Sequence, residues 1–331
     1  MRISLITTVK NEENSIRAFL ESILQQSRPP DEFIIVDGGS TDKTVEILQE
    51  YTPLFKRKNI IYKIIVKKGA NIAKGRNIAI SNSSGDIIAC TDAGCVLSKA
   101  WLEEIARSFE QDPSVDIVSG WYEPLATSKF EEIVAEITYP KLKKVLRNPS
   151  KFLPSSRSIA FKKKCWKKVG GYPEWLYTAE DTLYDILLKR AGCKFVFNPN
   201  AVVYWKVREN LRKLFRQYYN YAKGDGEANL FFWRYFLVCY FPIIAILISL
   251  IYWRTNNVSP LLLGIIYLTG LISYLFGEVI YRGGSVRKIL VNLPLALIIE
   301  ITILVARTIG YTYGFLKRFK YKKTTKELTR L

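Results

Sequence analysis

Over residues 1–125, short apolar runs alternate with stretches whose apolar positions recur every three or four residues. Runs of the first kind read as buried strands, and the intervening periodicity as amphipathic helices. The pattern predicts strands at 3–8, 33–37, 60–66, 86–91 and 115–119, with helices near 15–26, 44–51, 72–81 and 101–110. Such alternation implies a mostly parallel sheet covered by helices. Further strand signals at 158–161 and 195–203 lie on either side of a Gly170-Gly171 turn and a helix near 180–190.

Towards the C-terminus the pattern changes. Leu211, Leu214, Phe215 and Tyr218 fall at helical spacing with Arg212, Lys213 and Arg216 between them. This predicts a basic amphipathic helix, lying either in a membrane interface or against the domain core. Residues 235–253 and 260–277 then contain no charged side chain. Each run is about as long as the roughly 17–25 residues that cross the hydrocarbon of a bilayer. A third apolar stretch, 289–306, is interrupted by Asn292, Pro294 and Glu300. The loop 282–288 carries three basic residues and the segment after Leu316 carries seven. The positive-inside rule places both on the cytoplasmic face. Two spans, about 235–253 and 260–280, with 289–306 interfacial or re-entrant, satisfy that rule. They form a membrane region over 231–316, followed by a basic cytosolic tail at 317–331.

Charge changes the picture of the partners. Lys and Arg outnumber Asp and Glu by 49 to 30, a net charge of +19. Eleven of the basic residues, with no acidic one, fall between Lys141 and Lys168. An excess of this kind favours an anionic lipid surface, a phosphorylated substrate or nucleic acid. The membrane-length runs and the lack of any nucleic-acid-binding module argue against the last. The chain has no histidine, which excludes histidine bases, catalytic triads and histidine metal ligands. Its five cysteines form no CxxC pair and read as buried thiols of a reducing compartment. The N-terminus opens as a strand, without the apolar core of a signal peptide, so the first domain is expected on the cytoplasmic face of the cell membrane.

The candidate chemistry lies at strand ends. The run 33–36 leads into Asp37-Gly38-Gly39-Ser40-Thr41, and 87–90 into Thr91-Asp92-Ala93-Gly94. Ligands of open α/β sheets bind at the carboxyl ends of strands, and two aspartates there suit a ligand with hydroxyls and phosphates. Thr8, Asn11 and Glu12 follow the first strand on the same edge. Lys74-Gly75-Arg76-Asn77 opens a helix shortly before the Asp92 strand, where Arg76 offers a cation to a diphosphate. Thr178-Ala179-Glu180-Asp181 has the spacing of a capping box. A carboxylate in a helix's first turn is also held ionised, as a general base must be, and without histidine a carboxylate is the natural candidate.

Together these residues resemble a family-2 glycosyltransferase with the GT-A fold. The resemblance covers about residues 1–225 and rests on Thr8, Asn11-Glu12, Asp37 to Thr41, Arg76-Asn77, Gly85-Asp86, Thr91 to Gly94, Gly170-Gly171-Tyr172, Glu180-Asp181 and Gln217. It implies an α/β, Rossmann-like, mostly parallel sheet flanked by helices, followed by an α-helical membrane region. Residues 1–125 would form a nucleotide-binding half, and 126–225 an acceptor half with an interfacial helix. Thr8, Glu12, Asp37, Arg76 and Asp92 would bind the nucleotide sugar, UDP- or GDP-linked. Asp92 would also hold a divalent cation, Mg2+ or Mn2+. Asp181 would be the catalytic base, with Glu180 and Gln217 on the acceptor side.

The implied reaction is an inverting displacement onto a lipid-linked or membrane-proximal acceptor, beside an anionic bilayer. Three positions depart from the family pattern. Its Asp-x-Asp reads Asp92-Ala93-Gly94, so the last carboxylate is missing. Trp205 stands near the place of a later histidine ligand. The Gln-x-x-Arg-Trp of processive members reads Gln217-Tyr218-Tyr219-Asn220-Tyr221. The last departure points to a non-processive transferase. The first two open a second reading, a metal-incompetent domain serving as a membrane-tethered binding or assembly subunit.

Overall fold

The computed structural model describes residues 1–256 and 259–321. The basic tail beyond Tyr321 therefore lies outside the described residues. The described residues divide into two compact units, one of residues 1–125 and 148–206 and the other built from 126–147 and the described residues from 207 to 321.

The first unit is an eight-stranded sheet in the order β3-β2-β1-β4-β7-β6-β8-β5. The strands are β1 (Ile3–Val9), β2 (Glu32–Asp37), β3 (Ile61–Val66), β4 (Ile87–Cys90), β5 (Cys95–Leu97), β6 (Ile117–Leu125), β7 (Ile159–Lys162) and β8 (Phe195–Lys206). Strands β3, β2, β1 and β4 run parallel, whereas β7 is antiparallel to both β4 and β6. Strand β8 returns parallel to β6, and β5 closes the edge antiparallel to β8. Every predicted strand is present. The added one, β5, has three residues, too few for a periodic signal.

Strand order reverses between β1 and β4, since β2 lies on one side of β1 and β4 on the other. The carboxyl ends of β1 and β4 therefore part at a crevice, the position at which open sheets bind ligands. The core beneath is built from the apolar runs themselves: Leu5, Phe19, Phe33, Ile35, Leu48 and Ala89 are fully buried in one cluster.

One charge sits in this core by design of its partners. Glu32, at the start of β2, is fully buried. It accepts hydrogen bonds from the Ser4 hydroxyl at 2.5 Å, the Ser84 hydroxyl at 2.8 Å and the Gly85 amide at 3.1 Å. Burial opposes its charge, but the bonds from Ser4, Ser84 and Gly85 outweigh burial and lower its pKa to about 2. It thus ties the entry of β1 to the turn before β4.

The second unit is helical. The amphipathic stretch forms one helix, Leu211–Glu227, packed along the C-terminal helix Leu293–Lys317. Glycines set the approach. A Cβ at Gly310 would lie 2.3 Å from the Tyr219 carbonyl oxygen, and one at Gly314 2.0 Å from that of Lys223. Small residues permit this backbone-to-backbone contact. The buried Glu227 then receives Lys317 at 2.9 Å. Among the described residues, three helices are long and apolar enough to cross a membrane: Phe232–Ile251, Ile265–Arg282 and Leu293–Lys317. Asn292 and Pro294 do not interrupt the last of these. They open it, because a proline in the first turn forfeits no hydrogen bond.

The sign of the Glu32 shift yields a prediction. A carboxylate lowered from 4.5 to about 2 stabilises the fold above pH 4.5, and that contribution is lost as pH falls towards 2. Glu32→Gln is expected to lower stability at pH 7 by about 3 kcal/mol and to flatten its pH dependence between pH 4.5 and 2. Urea denaturation across that range measures both effects.

Candidate active site

The loops after β1 and β2 are laced together. Asp37 is fully buried, and its Oδ1 accepts the amides of Gly39 at 2.8 Å and Ser40 at 2.9 Å. Its Oδ2 accepts the Ser40 hydroxyl at 2.5 Å. Gly39 has φ +91°, a conformation open to glycine and strained in other residues. Asn11 Oδ1 accepts the Thr41 amide at 2.8 Å, while the Glu12 amide donates to the Thr44 hydroxyl at 2.8 Å. The Glu12 carboxylate takes the Ser15 hydroxyl. Asp37 therefore shapes the turn whose backbone rims the crevice, with Thr8 half-buried below it.

The helix Ile72–Ser81 is capped by Asn71, whose Oδ1 accepts the Lys74 amide at 2.9 Å. It lies hard against β1: a Cβ at Gly75 would come 2.5 Å from the Thr8 Cγ2 methyl. That contact fixes the next residue, Arg76. The sequence offers Arg76 as a cation to a diphosphate; in the fold the side chain is 3% exposed. Its Nη1 donates to Glu180 Oε1 at 2.7 Å and its Nη2 to Asp92 Oδ1 at 2.8 Å. The Tyr172 ring lies 5.3 Å below the guanidinium. A planar fork suits this bridge between two carboxylates. Arg76 thus joins motifs 16 and 104 residues away.

The neighbouring Asn77 does parallel work on the Gly170-Gly171-Tyr172 turn. Its Oδ1 accepts from the Trp166 indole and from the Tyr172 amide, both at 2.9 Å, and its Nδ2 donates to the Tyr172 carbonyl at 2.9 Å. The helix Glu180–Arg190 begins just beyond. Its cap position is Ala179, with φ 64° and no side-chain cap hydrogen bond, so the capping-box geometry is not adopted. Asp181 instead accepts the Thr182 amide at 2.7 Å and remains partly exposed. Glu180 is buried, and burial, reinforced by Asp181, raises its pKa to about 7 against the pull of Arg76.

A fourth group was not anticipated. Arg157, counted in the sequence only as part of the basic run, lies with its guanidinium 3.6 Å over the Trp205 ring and 5.6 Å from that of Tyr122. Its Nε stands 4.0 Å from Asp92 Oδ2. The sole hint in the sequence is its isolation: within 152–161 no other residue is charged. The Trp205 at the expected histidine position is thus a platform for a cation. Gln217 lies in the other unit, where its Oε1 accepts from Arg208 Nε at 3.2 Å and its Nε2 donates to the Tyr221 hydroxyl at 2.9 Å. Among the described residues, the one group of three mutually close metal-capable donors is Asp116, Cys165 and Cys193, which does not include Asp92.

Comparison with known proteins decides the class. The family model "Glycosyl transferase family 2" matches residues 4–169, and "Glycosyl transferase family group 2" matches 87–281. The chain belongs to glycosyltransferase family 2. Its similarity to poly-β-1,6-N-acetyl-D-glucosamine synthase of Staphylococcus epidermidis is 25% identity over 236 residues, covering 69% of this chain and 55% of the relative. The Staphylococcus aureus synthase gives 24% over 233 residues, with the same coverage. The chain thus spans about half the length of these curated relatives. In fold, the transferase resembles the mannosyltransferase PcManGT of Pyrobaculum calidifontis, solved with GDP-Man and Mn2+ (TM-score 0.54, 18% identity, covering 97% of this chain and 88% of that one). It also resembles S. aureus TarS solved with UDP (TM-score 0.50, 17% identity, covering 94% and 90%).

Removing the bridge should expose its cost. Arg76→Met leaves Glu180 buried opposite nothing, and breaking such a pair is worth about 3–5 kcal/mol. Chemical denaturation should register a loss of that order, and Arg76→Met/Glu180→Gln should recover part of it. Equal instability of the single and double variants would mean the two charges are not coupled.

Proposed function

We propose that this chain is a membrane-anchored, non-processive, inverting hexosyltransferase. It moves a sugar from a UDP- or GDP-linked donor to a lipid-linked or membrane-proximal acceptor, with its nucleotide-binding domain on the cytoplasmic face. The observation that carries the reading is the three-way meeting of Arg76 with Asp92 and Glu180. It sets Asp92, at the carboxyl end of β4, in fixed relation to Asp181 at the start of the next site helix. Bound UDP in TarS and bound GDP-Man in PcManGT, on the same fold, support a nucleotide-linked donor.

In this proposal Thr8, Glu12 and the Asp37 turn frame the nucleotide. Arg76 acts through Asp92 and Glu180, because both its terminal nitrogens are engaged. Arg157 supplies the more accessible cation beside Asp92. Asp181 takes the proton of the acceptor hydroxyl as its oxygen bonds to the anomeric carbon. The bond from that carbon to the diphosphate breaks on the opposite face, and the nucleoside diphosphate leaves with the electron pair. Glu180 and Gln217 belong to the acceptor side.

A divalent cation, Mg2+ or Mn2+, fits Asp92 by donor chemistry. Asp92 is one-third exposed, and its Oδ2 has a cation at 4.0 Å rather than a close partner. Mg2+ is commonly held by one or two carboxylates together with substrate phosphates and water. When bound, it neutralises charge developing on the leaving diphosphate. PcManGT was solved with Mn2+.

The second reading, a metal-incompetent binding or assembly subunit, is favoured by one observation, the glycine at 94 where a second carboxylate would stand. Sugar release from a panel of nucleotide sugars by washed membranes, with and without EDTA, separates the two. Release sensitive to EDTA fits the transferase with its cation, and no release from any donor fits the subunit. Retained release in EDTA that is lost in Arg157→Gln would assign the charge-neutralising role to Arg157.

The base is tested by Asp181→Asn. Positioned general-base catalysis contributes about 10²–10⁴-fold. Turnover should fall by that factor while donor affinity and thermal midpoint stay close to wild type. A variant that loses stability and keeps its specific activity would remove Asp181 from the chemistry.

A further inference from the structure

Three side chains outside the site described above bring metal-binding atoms together. They are the Asp116 carboxylate and the Cys165 and Cys193 thiols, whose donor atoms all lie within 4.8 Å of one another. All three belong to the first unit, and each comes from a different part of it. Asp116 immediately precedes β6, Cys165 lies on the helix Lys163–Val169, and Cys193 follows the helix Glu180–Arg190. The backbone holds them in place. The Asp116 amide donates to the Lys194 carbonyl at 2.9 Å, and the Asp116 carbonyl accepts the Lys162 amide at 2.9 Å. The Cys193 amide donates to the Leu188 carbonyl at 3.1 Å, after a turn in which Gly192 has φ +75°. Cys165 is buried, while Cys193 and Asp116 are half-buried, so two of the three donor residues reach the surface.

Two thiols and one carboxylate form a soft donor set, which suits Zn2+ rather than Mg2+. A tetrahedral ion with bonds of about 2.0–2.3 Å separates its ligand atoms by about 3.3–3.8 Å, so the three donors need to close by no more than about 1.5 Å. Three protein ligands leave the fourth position to water. The neighbouring cations match the charge of such a site. Lys164 Nζ lies 3.3 Å and Lys162 Nζ 3.6 Å from Asp116 Oδ1. Two thiolates and a carboxylate carry three negative charges, a divalent ion removes two, and an ammonium meets the one that remains. The Lys194 amide donates to Asp116 Oδ2 at 3.2 Å, an outer contact of the kind that orients a metal-bound carboxylate. Lys164 is 71% exposed, so it is free to swing aside as an ion enters.

We propose that Asp116, Cys165 and Cys193 bind one thiophilic divalent cation of the Zn2+ type, with the two thiol protons passing to solvent as the sulfurs coordinate. The ion ties the entry of β6 and the helix Lys163–Val169 to the far end of the helix that begins at Glu180. That helix is then held at both ends, by Arg76 at Glu180 and by the ion at Cys193. The sequence hides the site because its two cysteines stand 28 positions apart and make no CxxC pair.

The test uses the full chain in phosphatidylcholine nanodiscs, reduced with a phosphine, and Co2+ as a spectroscopic probe. A sulfur-to-metal charge-transfer band in the near ultraviolet, with the strong visible bands of a tetrahedral ion, should grow to one ion per chain and vanish when Zn2+ displaces Co2+. Zn2+ should also raise the thermal midpoint by several degrees. Cys193→Ser and Cys165→Ala should each abolish the band and weaken Zn2+ binding by at least about a hundredfold, more than the loss of an outer contact costs. Asp116→Asn keeps both thiolates, so the band should persist at weaker affinity. UDP and GDP binding should be unchanged in Cys193→Ser, which separates this site from Asp92. No charge-transfer band in the reduced wild type overturns the proposal. So does a band that survives in both cysteine variants, which would put the ion elsewhere. Should Cys165→Ala fail to fold, the half-buried Cys193 carries the decision.

Discussion

The buried guanidinium of Arg76 is the constraint on which the site depends. It sits where burial should drive out a charge, and it stays because two carboxylates meet it, Glu180 at 2.7 Å and Asp92 at 2.8 Å. The buried Glu180 and the buried cation compensate each other's charge, and the partly exposed Asp92 adds a second acceptor. The arrangement starts further back, at Gly75, where the absence of a Cβ lets the helix press on Thr8. The contact of the helix at Gly75 with the Thr8 side chain of β1 thus places Arg76 between the end of β4 and the helix carrying Asp181.

The electrostatics around Asp92 differ from a site built of paired carboxylates. Where a second aspartate would stand there is Gly94, and where a histidine would stand there is Trp205. The same space holds Arg157, laid on that tryptophan at 3.6 Å. Stacking on the indole holds the guanidinium beside Asp92, while its Nη1 donates to the Ser155 hydroxyl at 2.8 Å.

In the helical unit the packing logic is the opposite, since apolar surface faces outward and small residues face inward. Gly310 and Gly314 bring the amphipathic helix within backbone contact of the C-terminal helix, which leaves the larger aromatic residues to frame a polar cavity. Tyr235 stacks on Tyr311 at 4.0 Å and donates to Asp225, so the same aromatic pair seals the helices and positions a polar wall.

The strand–helix alternation, the parallel sheet, the two aspartates at strand ends and the apolar C-terminal helices were legible in the sequence. Each is a local signal: periodicity, a turn residue or a run of apolar side chains. The three-residue β5 was not legible, because a strand that short has no period, and neither was the role of Pro294, which reads as a break and in fact opens a helix. The family motifs brought Arg76, Asp92 and Glu180 forward as separate candidates, but not as a bridge, since residues 16 and 104 positions away become partners only when the sheet aligns their loops. Arg157 was lost in a run of basic residues for the same reason. Charge is written in the sequence, but which charge is buried, which is stacked and which faces a ligand depends on what packs beside it, and only the tertiary structure decides that.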